Sequence, residues 1–418
     1  MRRAPLLHVW WLLAGATLAL AAQASSQPSR DGSWLGPVRT MPSPAGPASG
    51  QPQLQTTARG TVLSWVERAG ALAHLKFASY EASGWTKART VASGDDWFVN
   101  WADVPSVLRL DDGTWAAHWL QKSGDDRYAY DVRLSHSSDD GRTWAPSFTP
   151  HHDGTRTEHG FASLLGIPGG GLGVFWLDGR QTKAAPAHTD GHAGTAGAMT
   201  LRFGAYDRAW RQVADTPVDL RVCDCCPTAA AITSEGPIVA FRDRSADEVR
   251  DIHVSRLEHG RWSEPTAVHH DGWKLAACPV NGPMLGARGR AVVAAWFTAV
   301  DDVGRVYAAF SGDAGRTFAN PVRVDESASL GRVDVEMLDD GTAVVTWIEL
   351  NAPGASLMAR RIGMNGGRWP AVRIATLDGS RTSGYPRMTR QGAALLFAWT
   401  DAGAQVVRTA TATLMASR

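Results

Sequence analysis

Residues 332–349 read RVDVEMLDDGTAVVTWIE. Apolar and polar residues alternate on both sides of Asp339-Asp340-Gly341, the pattern of two half-buried strands joined by a tight turn. The second run ends on Trp347, followed by an acid at Glu349. The same form recurs at 50–67 (GQPQLQTTARGTVLSWVE), 103–121 (DVPSVLRLDDGTWAAHWLQ) and 160–178 (GFASLLGIPGGGLGVFWLD). It returns at 226–243, 278–298 and 384–401, and its anchor aromatics are Trp65, Trp119, Trp176, Phe241, Trp296, Trp347 and Trp399. These anchors lie 51 to 65 residues apart. A period near 50 that holds strand, turn and strand indicates blades arranged around an axis, not a string of domains.

Each unit continues with a third alternating run and, after a turn, a fourth. Examples are ALAHLKFASY then GWTKARTVA, and RVYAAFSGD then RTFANPVRV. The last unit stops after its third run, at Leu414, while Ser33 to Thr40 (SWLGPVRT) has the form of a fourth. The N-terminal strand is therefore expected to complete the last blade and close the ring, which removes the free sheet edges of an open array. The expectation is all-β: one propeller of seven four-stranded blades, with six as the alternative if one unit is misread. The blade repeats begin near residues 51, 103, 160, 226, 278, 332 and 384. The long gap before Phe241 comes from a Gly/Ala/His-rich insertion, Gln181 to Ala198, read as a loop whose His188 and His192 are solvated.

The ends and the charge bound the function. Arg2-Arg3, the apolar run Leu6 to Ala22 and the Ala22-Gln23-Ala24 site read as a secretory signal peptide over residues 1–24. That leaves residues 25–418 as the propeller, in a periplasmic or secreted setting. No later apolar run approaches the length of a membrane span. The formal net charge is +1, which speaks against nucleic acid as a partner.

Two hairpins are more specific than the rest. Ser137-Ser138-Asp139-Asp140-Gly141-Arg142-Thr143-Trp144 and Ser311-Gly312-Asp313-Ala314-Gly315-Arg316-Thr317-Phe318 both fit S-x-D-x-G-x-[TS]-[WF]. The chain in this resembles the Asp-box (BNR) repeat proteins of the sialidase superfamily. The resemblance implies a propeller whose boxes sit on the outer rim, away from any active site. It also implies a set of catalytic positions: an Asp acid/base at Asp103, a Tyr nucleophile at Tyr385, and Arg332 and Arg387 as two arginines of a carboxylate-gripping triad. The family's N-terminal Arg-Ile-Pro is missing, because the corresponding strand begins Gly50-Gln51-Pro52. Simple sialidase activity is accordingly not expected.

The loops leading into the seven first strands are rich in reactive groups. They carry Trp101, Asp103, Glu158, His159, Lys274, Asn281, Arg332, Asp334, Tyr385 and Arg387, and blade four adds Arg242 and Arg244. Gathered at one mouth of the channel, such groups suit a polar small molecule or glycan. The plain alternative is a polar channel wall, and for Arg242 and Arg244 an ion-pair network inside the blade. A hydrolase would need two carboxylates facing one cavity, from Asp103, Glu158 and Asp334. Cys223, Cys225, Cys226 and Cys278 are the chain's only cysteines, and Cys226 and Cys278, each before proline, read as equivalent positions on the innermost strands of neighbouring blades. They read as disulfides, with a bridge from the CDCC run to Cys278, as thiolate ligands of copper or zinc with His159 or His270 nearby, or as a redox or catalytic thiol. Three classes of function stay open: a glycan-binding or glycan-hydrolysing propeller, a metal-binding protein, and a protein-interaction scaffold.

Overall fold

The computed structural model describes residues 1, 33–182, 197–351 and 354–415. Residues 2–24 of the expected signal peptide, His188 and His192 lie outside them. Seven antiparallel sheets surround a central channel, so the seven-blade count holds. Their innermost strands are Ser49–Thr57, Ser106–Arg109, His159–Gly166, Ala229–Thr233, Met284–Arg288, Ser329–Met337 and Arg387–Gln391. In blade two the fourth strand is reduced to a single bridge between Leu134 and Phe148.

The last blade is closed as the repeat requires. Arg39–Met41 pairs antiparallel with Val406–Thr413, placing Arg39 opposite Thr411 and Met41 opposite Thr409. Trp34 is the anchor of this segment. It is 2% exposed, packs with Ile374, Met388 and Trp399 between blades six and seven, and donates its indole N–H to the Pro370 carbonyl at 2.8 Å.

The second strands explain the Trp-plus-acid signature. Trp65, Trp176, Trp296 and Trp347 are fully buried, so each indole N–H must find an acceptor. Residues two apart on a strand share a face. Trp65 thus donates to Glu67 at 2.8 Å, Trp176 to Asp178 at 2.8 Å and Trp347 to Glu349 at 3.2 Å. Trp296 uses Asp271 from a neighbouring loop, at 2.7 Å.

The two Asp boxes fold as turn clamps on the hairpin side of the ring. Asp139 Oδ1 accepts the N–H groups of Arg142 and Thr143 at 3.0 and 2.9 Å, and its Oδ2 takes the Thr143 hydroxyl at 2.6 Å. Asp313 repeats the pattern with Thr317 at 2.9 and 2.7 Å. Each box also wedges against the preceding blade: a Cβ on Gly141 would strike Phe77, and one on Gly315 would strike Ile238. Their role is packing at the rim.

Candidate functional site: the central channel and its closed end

Strand register shows which residues of the seven blades are equivalent. Gln53, Ser106, Ser163, Ala229, Met284, Asp334 and Arg387 each pair with the residue before their blade's anchor aromatic. Three positions upstream stand Gly50, Asp103, Gly160, Cys226, Asn281, Gly331 and Gly384. Where that position carries a side chain, it accepts a backbone N–H from the next blade. Asp103 takes Phe161 N–H at 2.8 Å, Cys226 Sγ takes Asn281 N–H at 3.4 Å, and Asn281 Oδ1 takes Arg332 N–H at 2.8 Å. The following blade then needs room, since a Cβ on Gly160 would collide with Asp103 and one on Gly331 with Asn281. This register corrects the equivalence expected from the two Cys-Pro pairs: Cys226 matches Asn281, and Cys278 matches Cys223.

The inner strands of blades one, three and six slip register at this level. The slip holds Gln51, Phe161 and Arg332 at φ of 57°, 51° and 53°, a left-handed conformation costly for residues with side chains. Gln51 donates its amide to the Asn100 and Asp103 carbonyls, Phe161 lines the channel, and Arg332 crosses the end where the loops come in, which is closed. Arg332 lies over the Trp101 ring at 4.7 Å, and Trp101 stacks on Tyr385 with centroids 6.0 Å apart. Arg332 Nη1 donates to the carbonyls of Ser380 and Gly384 at 2.9 and 3.1 Å. Tyr385 is 2% exposed and donates its hydroxyl to the Val280 carbonyl at 2.6 Å, while burial pushes its phenol far up. Its hydroxyl thus ties the closed end to the Val280 segment. Asn281 is likewise spent between blades, its amide also donating to Leu330 O at 3.2 Å.

Below this cap lies a cavity of about 540 Å³. It runs from Asp103, Phe161, Asp334 and Arg387 to Ala58 and Asp111, which are exposed at the strand hairpins. The channel therefore opens on the face opposite the incoming loops, where the sequence did not place it. Asp334 accepts Val335 N–H at 2.9 Å and Met388 N–H at 2.8 Å, and burial raises it. Glu336, two residues on and on the same face, accepts Thr389 Oγ1 at 3.0 Å; burial and the Asp334 charge push it up to about 7. Arg387 is 6% exposed and rests against Met284 Sδ at 3.4 Å, yet its Nε has no partner. Asp103 Oδ1 has none either. Two buried polar atoms of residues that line the cavity are thus left without a protein partner.

Asp103 also belongs to a carboxylate–phenol–carboxylate chain. Tyr130, fully buried, has its hydroxyl 3.2 Å from Asp103 Oδ2 and 2.7 Å from Glu158 Oε1. Burial pushes Asp103 up to about 7 and, with the Asp103 charge adding to it, Glu158 to about 8. Of this chain, Asp103 alone reaches the cavity; Tyr130 and Glu158 stand behind it. His159 is enclosed in a separate network, stacked on His151 at 3.7 Å and 3.2 Å from Asp153. Burial opposes its charge, but Asp131, Asp178 and Asp153 outweigh burial and raise it, whereas burial and the His159 charge push His151 down to about 4. These groups are close enough to hold a cation, but Arg180 already pairs with Asp178 at 2.7 Å and Asp153 at 3.4 Å.

Blade four resolves into structural pairings. Arg242, 1% exposed, gives Nε, Nη1 and Nη2 to the carbonyls of Asn281, Arg250 and Phe297 and lies over Trp273 at 4.9 Å. Arg244 bonds Glu248 at 2.8 Å and Asp224 at 2.9 Å, so the ion-pair reading fits Arg244, whereas Arg242 is held by backbone carbonyls instead. Lys274 is exposed, away from the channel. All four cysteines are free thiols, and the expected bridge to Cys278 is not formed. Cys223 Sγ and Cys226 Sγ are 3.4 Å apart, against about 2.05 Å for a disulfide. Tyr130 and Glu336 escaped the sequence reading. Glu336 was signalled by its place two residues after Asp334 on an inner strand; Tyr130, on a third strand, carried no such mark.

No family model matches the sequence, and no curated protein does. Among solved structures, the chain is similar to a protein of unknown function from Dyadobacter fermentans, with 12% identity and a TM-score of 0.50 over 88% of this chain and 95% of that one. It is equally similar to the polysaccharide lyase Uly1, with 10% identity and a TM-score of 0.50 over 88% and 90%. The NanB sialidase of Streptococcus pneumoniae, as a point mutant, aligns at 8% identity over 90% and 94% with a TM-score of 0.46. Sialidases are thus among its structural neighbours, and identities this low fix the fold alone.

Proposed function

We propose that this chain is a glycan-binding propeller, periplasmic or secreted, whose ligand enters the central channel from the hairpin face. The observation that carries the reading is the 540 Å³ cavity lined by Arg387 and Asp103, whose Nε and Oδ1 have no protein partner. That volume lies within the usual range of small-molecule sites. Its wall offers a guanidinium donor, carboxyl groups at Asp103, Asp334 and Glu336, and hydroxyls at Thr56 and Thr389, which suits a hydroxyl-rich saccharide. Asp103 and Glu336, both held at about 7, can give or take a proton, so the same wall has the groups for glycoside hydrolysis. A scaffold role is less well supported. Among the described residues the exposed large apolar side chains are few and scattered, with at most two on one blade, such as Val213 and Leu220 on one outer strand.

The test is calorimetric titration with neutral and uronic-acid oligosaccharides. Binding weakened at least tenfold by Arg387→Met and by Asp334→Asn, and unchanged by Lys274→Ala, is the expected result. Binding that survives both channel substitutions, or no binding to any saccharide, overturns the reading.

A further inference from the structure

The cysteine cluster is not explained by a ligand in the channel. Cys223, Cys225 and Cys226 are 1%, 8% and 2% exposed, and their three sulfurs all lie within 4.8 Å of one another. Around a single ion with metal–sulfur bonds near 2.3 Å, sulfurs stand about 3.8–4.0 Å apart, so small side-chain shifts would seat an ion among them. Three further observations concern what surrounds the sulfurs. Asn281 N–H points at Cys226 Sγ from 3.4 Å, the kind of second-shell hydrogen bond that tunes a thiolate ligand. Arg250 is 2% exposed with its Nη1 unpartnered, and it and Arg242 exert the nearest cationic fields on Cys223. Gly282 lets the blade-five segment press against Pro227, where any Cβ would collide with the Pro227 carbonyl. That contact fixes the backbone beside Cys226.

We infer that Cys223, Cys225 and Cys226 form a binding site for one monovalent copper ion, with Cys278 as the sulfur through which the ion is exchanged. The donor set is all sulfur, which selects a soft ion. The coordination number separates copper from zinc. Cys278 contacts Cys225 but does not join the mutually close set, leaving three sulfurs where structural zinc sites almost always use four ligands. Three thiolates around a monovalent ion carry a charge of minus two, which Arg242, held only by carbonyls, offsets in part, with Arg250 shared between the cluster and Glu248. Cys278, half-buried at the edge of the cluster, is the member with a path to solvent.

The test uses the full-length mature protein, reduced and loaded with Cu(I) under anaerobic conditions in competition with a Cu(I)-specific chelator. One ion per chain, with a sulfur-only first shell by copper X-ray absorption, is the expected result. Cys226→Ser should weaken binding at least a hundredfold. Cys278→Ser, at a more exposed position, should keep the stoichiometry and slow exchange with the chelator at least tenfold. Thermal melts of both variants in the absence of metal separate lost ligation from lost folding. Wild-type protein with four titratable thiols that takes up no Cu(I), or that binds Zn(II) in preference, overturns the inference. So does Cys278→Ser exchanging as fast as wild type.

Discussion

Replacing Asp103 by Asn probes the buried acid chain through its pH dependence. Asp103 is 1% exposed and held at about 7, because burial disfavours its charge more than the Phe161 N–H and Tyr130 hydroxyl favour it. In the unfolded chain an aspartate titrates near 3.9. Between those values the folded protein keeps a proton that the unfolded chain releases. The contribution of this group to stability is therefore full below about pH 4 and is lost as pH rises through about 7. A shift of roughly three units corresponds to a ceiling of about 4 kcal/mol. Water in the adjoining cavity screens part of it, so about 2 kcal/mol is the working figure. Asn keeps a carbonyl oxygen for Phe161 N–H but cannot ionise. Urea denaturation of both proteins at pH 5 and pH 8 should show Asp103→Asn gaining about 1 kcal/mol relative to wild type between the two, since part of the effect is already spent by pH 5. Parallel pH profiles, or a variant that loses ground on going to pH 8, would refute the reasoning.

Trp34→Ala should lower stability by about 3–5 kcal/mol by emptying the site between blades six and seven. Deleting residues 33–41 should cause aggregation or early melting, and an unchanged melting temperature would count against closure by this strand. Tyr385→Phe should cost about 1 kcal/mol by freeing the Val280 carbonyl and leave saccharide affinity unchanged. Wild-type hydrolysis of aryl sialosides should be negligible, and turnover that vanishes in this variant would restore Tyr385 as a nucleophile. Asp313 is held at about 2: burial raises it, but the Thr317 N–H, the Ser311 and Thr317 hydroxyls and the Arg316 N–H outweigh that. Its contribution is present above about pH 4 and lost as pH falls toward 2, so Asp313→Ala should flatten the acid limb of a stability profile without changing ligand affinity.

The fold was legible because it is periodic. Seven anchor aromatics, a hairpin before each and a missing fourth strand after Leu414 were enough to place every sheet and its closure. The Asp boxes declared their turns through local hydrogen bonding that depends on a few adjacent residues. The site was less legible because it depends on register across blades. Whether Arg332 points into the channel or across its end is decided by a slipped strand and a positive φ, and neither leaves a mark beyond Gly331. Arg332, Tyr385 and Trp101 therefore read as ligand contacts and turned out to form a cap. Asp103, Asp334 and Arg387 do line the channel, but from a cavity that opens on the opposite face. The Cys-Pro pairs suggested an equivalence that strand pairing moved by three residues.

A crystal structure with a bound oligosaccharide, selected by titration, tests the central claim most directly. Sugar density in the channel, within hydrogen-bonding distance of Arg387 Nε and Asp103 Oδ1 and reached from the Ala58–Asp111 side, is what the account predicts. Sugar bound over Trp101 on the incoming-loop face, with the channel holding solvent alone, would contradict it.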